Sequence, residues 1–230
     1  MNEEPIKPAL KKSLMTRWET VAAWLYIPVH FVLLPMPLAA LITDGTLTEA
    51  MANLILYAVG FVYMLIFLGR FLRRDFDNVC DAPLATVYGV ALSFVALFAA
   101  NVVMGLLLSA FGFAENPNNG AVAEIAAADR GTMTAAAVFL APVVEELIFR
   151  AGIFGTLRRF NVKLAYIISI LLFSLYHVVG YTALDASAWV YAVQYIPATV
   201  ILCRCYERHE SIWPPIFLHM LINGLSMSVL

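Results

Sequence analysis

The sequence is poor in charge. Only 13% of its 230 residues are Asp, Glu, Lys or Arg, about half of the roughly 25% usual in a soluble domain. That shortage excludes a soluble enzyme and a disordered chain, both of which need a solvated surface. It also lacks a cationic excess: Lys and Arg number 14 against 16 Asp and Glu, for a net charge of -2. No basic field is available for nucleic acid, so none is expected as a partner. Cysteine is scarce as well. Cys80, Cys203 and Cys205 are an odd number without a CxxC spacing, which argues against a disulfide framework or a thiolate metal centre. All three read as structural filler near reduced, cytosolic ends. No internal repeat stands out. No cleavable signal peptide is expected, because the stretch through Arg17 is polar and the first apolar run is too long for one.

What the chain does have is apolar length. Hydrophobic residues make up 62% of it, and the mean hydropathy is +0.83. A spanning helix needs roughly 20 apolar residues, so seven spans would use about 140 positions, close to what this composition supplies. The expected fold is therefore all-α, a polytopic transmembrane bundle of about seven spans, with an eighth or a further half-span left open, around an intramembrane polar cavity. Residues 1–20 read as a cytosolic tail and 21–230 as a single transmembrane domain. Windows of about 19 residues place the spans near Val21–Thr43, Met51–Leu68, Pro83–Phe111, Met133–Leu157, Val162–Leu184, Ala188–Cys205 and Ile212–Leu230. Pro28, Pro35 and Pro37 predict a kink in the first. The connection from Ala114 to Thr132 starts with turn-forming Asn116-Pro117-Asn118-Asn119-Gly120, after which Ala121–Asp129 can form a short interfacial helix.

Orientation follows from the basic residues. Twelve of the fourteen fall on alternate connections: Lys7, Lys11, Lys12 and Arg17 in the tail, then Arg70, Arg73 and Arg74, then Arg158, Arg159 and Lys163, then Arg204 and Arg208. The opposite connections carry Arg130 alone, and Arg150 lies inside a span. The positive-inside rule makes the N-terminus cytosolic and the end of a seventh span external. The expected location is the plasma membrane of a prokaryote, with membrane lipids as constant partners.

Against this apolar background, three charges stand out in the fourth span: Glu145, Glu146 and Arg150. Each costs about 2.5–3.5 kcal/mol at a helix centre on insertion scales, which no packing role repays. Glu146 and Arg150 are four apart, on one helix face, and can form an ion pair. Glu145 points about 100° away, so Arg150 need not neutralise it. A neighbouring carboxylate and a low-dielectric setting disfavour its bare charge, which suits a general base or acid. Pro142 removes a backbone donor one turn earlier and loosens the helix there. Ala151, Gly152 and Gly155 leave room for a close helix neighbour.

Two further spans carry polar groups. His177 stands in the fifth, within Phe173-Ser174-Leu175-Tyr176-His177. His219 and Asn223 share a face of the seventh. Taken singly, His177 could be a satisfied core residue and the His219/Asn223 pair interhelical hydrogen-bond glue. Depth brings them together. Counted at 1.5 Å per residue from the cytosolic ends, Glu145 and His177 both lie roughly 20 Å in, and His219 and Asn223 roughly 12–18 Å. All four can meet in one mid-membrane cavity, somewhat nearer the cytosolic side. His30, on the proline-rich first span, and His209, in a polar loop, read as structural.

Glu145-Glu146-x-x-x-Arg150, Phe173-x-x-x-His177 and His219-x-x-x-Asn223, in that order on three helices, resemble the motifs of the CPBP family of intramembrane proteases. That family includes the CAAX prenyl endopeptidases and bacterial bacteriocin-processing and immunity-type relatives. The resemblance covers roughly Asn116 to Asn223, within a motif-bearing core of about 116–230. It implies that Glu145 and His177 activate a water, that His219 and Asn223 stabilise the oxyanion, and that Glu146 and Arg150 support the geometry. The implied substrate is a peptide or protein tail near the cytosolic membrane face. Two positions depart from the family: Ala151 stands where glycine is common after the motif arginine, and Pro197-Ala198 where relatives often carry a glycine. Both touch helix packing and remove no catalytic group. On cofactors, Glu145, His177 and His219 are a donor set that suits Zn²⁺, but no HExxH helix is present, and water-mediated chemistry without metal is favoured. Two other classes compete: a catalytically idle regulatory protein of the same fold, which has no use for costly buried charges, and a proton-coupled transporter, which would be expected to show an inverted repeat. Nothing in the sequence sets the oligomeric state.

Overall fold

A computed structural model describes residues 15–113, 116–182 and 185–230. Lys7, Lys11 and Lys12, and the expected boundary residues Ala114 and Leu184, lie outside the described residues. Within them the chain is all-helical. The helices are α1 (Arg17–Thr43), α2 (Glu49–Asp81), α3 (Pro83–Ala110), α4 (Pro117–Ala128), α5 (130–157), α6 (Val162–Thr182), α7 (Ala186–His209) and α8 (Trp213–Val229). Helices α1, α2, α3, α6 and α7 are long and apolar enough to cross a membrane, and the protein is an integral membrane protein. The other two expected spans have a different character. Helix α5 is interrupted by π-helical turns and carries Glu145, Glu146 and Arg150, and α8 has 17 residues.

Prolines account for much of the local irregularity. Helix α1 contains a π-helical stretch, Val29–Leu33, between Pro28 and Pro35, at the prolines from which a kink is expected. In α5 a second such stretch, Ala135–Leu140, runs up to Pro142, and the Ala141 N–H reaches back five residues to the Ala136 carbonyl. A third covers Leu147–Phe154. Inserted residues of this kind gather at functional sites, where they re-aim side chains.

Two boundary expectations are corrected. Arg204 and Arg208, expected on a connection, stand on α7, which runs on to His209. Arg70, Arg73 and Arg74 stand on helix, because α2 continues unbroken to Asp81, and only Ala82 separates it from α3, which Pro83 opens. Polar residues extend a helix beyond its apolar stretch as readily as they leave it, so hydropathy marks where the apolar run ends and not where the helix does. The expected short helix after Asn116 is present as α4, with the Asn116 side chain accepting from the Asn118 N–H at its start.

Helix α5 is the centre of the bundle. Every residue from 141 to 155 is buried, with α1, α2, α6, α7 and α8 packed around it. Close approach is built in by glycine. A Cβ at Gly60 of α2 would stand 2.7 Å from Tyr26 Oη of α1 and 3.0 Å from Val144 of α5. At Gly152 it would meet Ala23 of α1 at 3.4 Å, the helix contact that the small residues after Arg150 predict. At the basic end, Arg74 pairs with Glu19 at 2.9 Å. There, too, buried Asp75 Oδ2 accepts from Ser211 Oγ (2.7 Å) and the Ile212 N–H (2.6 Å), tying α2 to the entry of α8. The three cysteines are free thiols, Cys80 exposed and Cys203 and Cys205 buried.

Candidate active site

The residues singled out from the sequence converge. Glu145, His177, His219 and Asn223 line one cavity of about 820 Å³, together with Tyr57, Phe173, Tyr176 and Tyr195. Glu145, Phe173 and His219 form part of its floor and are buried.

Glu146 is turned away from the cavity and is fully buried. Its Oε1 accepts from Arg150 at 2.9 Å and faces His219 Nδ1 at 2.8 Å. The expected ion pair between Glu146 and Arg150 is therefore formed, and it does more than cancel charge. It holds the α8 histidine through one ring nitrogen. The other nitrogen, Nε2, is left facing Glu145 Oε2 at 3.9 Å. The Arg150 guanidinium also lies over the Phe173 ring, 4.1 Å from its centroid, a cation–π contact that gains strength in a desolvated site.

His177 Nδ1 lies 2.8 Å from the Phe173 carbonyl. A carbonyl only accepts, so Nδ1 carries the proton in this bond and Nε2 keeps a lone pair. The imidazole stacks on Tyr195, centroids 4.3 Å apart, and Tyr195 is in turn held by the Asn116 amide at 3.1 Å. Asn223 Nδ2 donates to the Ala137 carbonyl at 2.9 Å, in the π-helical stretch of α5. An amide nitrogen has two hydrogens, so one remains for the cavity.

The structure adds residues that carry no motif. Tyr57 Oη donates to Glu145 Oε1 at 2.7 Å and meets Tyr176 Oη at 2.8 Å. Tyr176 Oη in turn lies 3.1 Å from His30 Nε2. His30 thus has a partner that its place on a proline-rich span does not suggest, in a chain that runs from the first helix to the candidate base. The only signal in the sequence is a Tyr and a His within apolar helices; the pairing itself spans 146 positions. His209, expected in a polar loop, is instead the last residue of α7 and packs closely against Gly89 of α3.

Glu145 Oε2 is buried and accepts no hydrogen bond among the described residues. With Oε1 engaged by Tyr57, Oε2 is the oxygen left without a hydrogen-bond partner among the described residues. Among the described residues no three of His, Cys, Asp and Glu stand close enough to share an ion, Glu145, His177 and His219 included.

The expected depth is corrected. Counting along the helices put the cavity somewhat nearer the basic end, but the lining runs the other way, through Asn53, Asn118, Tyr181, Gln194 and Ser226, away from the basic connections. Counting from one end of each helix ignores tilt and unequal length, and α8 is short.

Comparison with known proteins gives two findings. Residues 129–225 match the family model described as type II CAAX prenyl endopeptidase Rce1-like. A curated protein of Bacillus subtilis (strain 168), named "Putative membrane peptidase YdiL", is 28% identical over 142 residues, which cover 61% of this chain and 54% of the relative. The chain therefore spans about half the length of that relative. No solved structure matches.

Proposed function

With both matches supporting a CPBP-family protease, we propose that the chain is an intramembrane endopeptidase that hydrolyses a peptide bond in the cavity lined by Glu145, His177, His219 and Asn223. The observation that carries this proposal is the meeting of Glu145, His177, His219 and Asn223 around one cavity, from three different helices. The whole of 21–230 then acts as one transmembrane unit, with α5 and α8 crossing as well to make seven spans and the N-terminus cytosolic in a prokaryotic plasma membrane.

Hydrolysis of an amide needs an activated water, donors for the tetrahedral oxyanion and a proton for the leaving amine. Glu145 Oε2, with the lone pair of His177 Nε2, draws a proton from a cavity water. The water oxygen bonds to the carbonyl carbon as the C=O electrons move onto oxygen. The remaining Asn223 N–H is the donor placed to meet that oxyanion, joined by His219 Nε2 when the ring carries a second proton, since Nδ1 is committed to Glu146. As the C–N bond breaks, Glu145 returns its proton to the amine nitrogen. Glu146 and Arg150 act through His219, which they hold in place. Tyr57 acts through Glu145.

The test is to purify the protein and Glu145→Gln in detergent and to incubate both with a peptide library read by mass spectrometry. Cleavage by the wild type and none by the variant is expected. Equal behaviour of the two, with a cellular phenotype preserved in the variant, would sink the peptidase in favour of an idle regulatory protein.

A further inference from the structure

The cavity has a direction. The residues that line it and are also exposed are Asn119, Gly180, Ser226, Val229 and Leu230. Asn119 is on α4, between the third and fourth expected spans. Gly180 is near the end of α6, whose start carries Lys163. Ser226, Val229 and Leu230 close α8, whose start adjoins Asp75 at the basic end of α2. Asn53, on the first turns of α2, and Gln194 and Tyr195, early in α7, fall on the same side, away from Arg70–Arg74 and from Arg204 and Arg208.

The wall chemistry on that side suits a peptide backbone. Asn53, Asn101, Asn118, Asn119 and Gln194 line it, and their side chains offer neutral amide donors and acceptors. The surrounding helix ends are acidic: Asp44, Glu49, Glu124, Asp129 and Asp185 accompany Arg130. Arg130 itself is engaged with the Met227 carbonyl at 2.6 Å.

We propose that the cavity takes its peptide from the face opposite the basic connections, which under the positive-inside rule is the extracytoplasmic face. The substrate is then a polypeptide segment exposed outside the cytoplasm. A cytosolic protein tail, the substrate that the family resemblance implies, would have to approach a face closed by Asp75, Ser211 and the basic helix ends. This proposal rests on reading the cavity as a peptidase's, but its test does not require hydrolysis, so the two can fail separately.

The test uses the full chain in intact cells. Cys80, exposed on the basic end of α2, is a native internal control, and Cys203 and Cys205 are buried. A membrane-impermeant maleimide should label Asn119→Cys in intact cells and reach Cys80 only after permeabilisation. Alkaline phosphatase fused after Leu230 should be active and a fluorescent protein at the same point dark, which covers the case of a poorly reactive thiol at 119. Labelling of Cys80 but not of Asn119→Cys in intact cells, or a fluorescent fusion with an inactive phosphatase, would turn the mouth to the cytosol and overturn the proposal.

Discussion

The Tyr57 hydroxyl donates a 2.7 Å hydrogen bond to Glu145 Oε1, across 88 positions of sequence and from a helix that carries none of the three motifs. It occupies Oε1 and leaves Oε2 without a partner among the described residues, and it links Glu145 through Tyr176 to His30 on the first helix.

Removing that donor should cost rate as well as stability. A hydrogen bond to a charged group is worth about 1.5–3 kcal/mol, and each 1.36 kcal/mol on the barrier is about tenfold in rate. Tyr57→Phe keeps the ring packing and is expected to lower kcat by roughly 10- to 100-fold with KM little changed, and to lower the thermal midpoint in detergent because buried Glu145 Oε1 loses its donor. Steady-state kinetics on a cleaved peptide, with a melting curve beside it, checks this. A variant with wild-type kcat would leave Tyr57 with a packing role only.

The buried pair of Glu146 and Arg150 should behave asymmetrically. Both side chains are fully inaccessible, and breaking a buried pair by removing one partner costs about 3–5 kcal/mol. Arg150→Met is expected to unfold at markedly lower temperature, because it strands Glu146. Adding Glu146→Gln to it should recover much of that loss while leaving activity low, since His219 then loses the carboxylate that holds it. Thermal unfolding of the two single variants and the double variant decides the point.

Two glycines of one helix should respond with opposite sign. A methyl at Gly60 meets Tyr26 Oη and Val144, and Tyr26 is buried and stacked on Tyr63. Gly60→Ala is expected to destabilise by about 1–3 kcal/mol, as overpacking does. Gly69 has open space where the methyl would go, so Gly69→Ala should be neutral or stabilising by roughly 0.5–1 kcal/mol through helix propensity. Melting midpoints of the two variants against the parent give the comparison.

Much of the candidate site is legible in the amino-acid order. Glu145, Glu146 and Arg150 are conspicuous because a charge in an apolar helix is costly enough to need a reason. Four-residue spacing is enough to pair Glu146 with Arg150, since it is fixed by helix geometry alone. The roles of Tyr57, Tyr176 and His30 are not legible there. Tyrosine is ordinary in an apolar helix, and nothing local tells a hydroxyl that caps a carboxylate from one that snorkels toward a membrane surface.

The sequence by itself determined an all-helical membrane protein, the helices that hold the polar residues and the partner of Arg150. These follow from composition and from contacts within one helix, where 3.6 residues per turn leaves little choice. Only the tertiary structure decided which nitrogen of His219 faces Glu145, which oxygen of Glu145 is free and toward which end of the bundle the cavity runs. Each of those depends on the tilt, rotation and offset of separate helices, and these are set by packing contacts such as Gly60 on Tyr26 that join residues far apart in the chain.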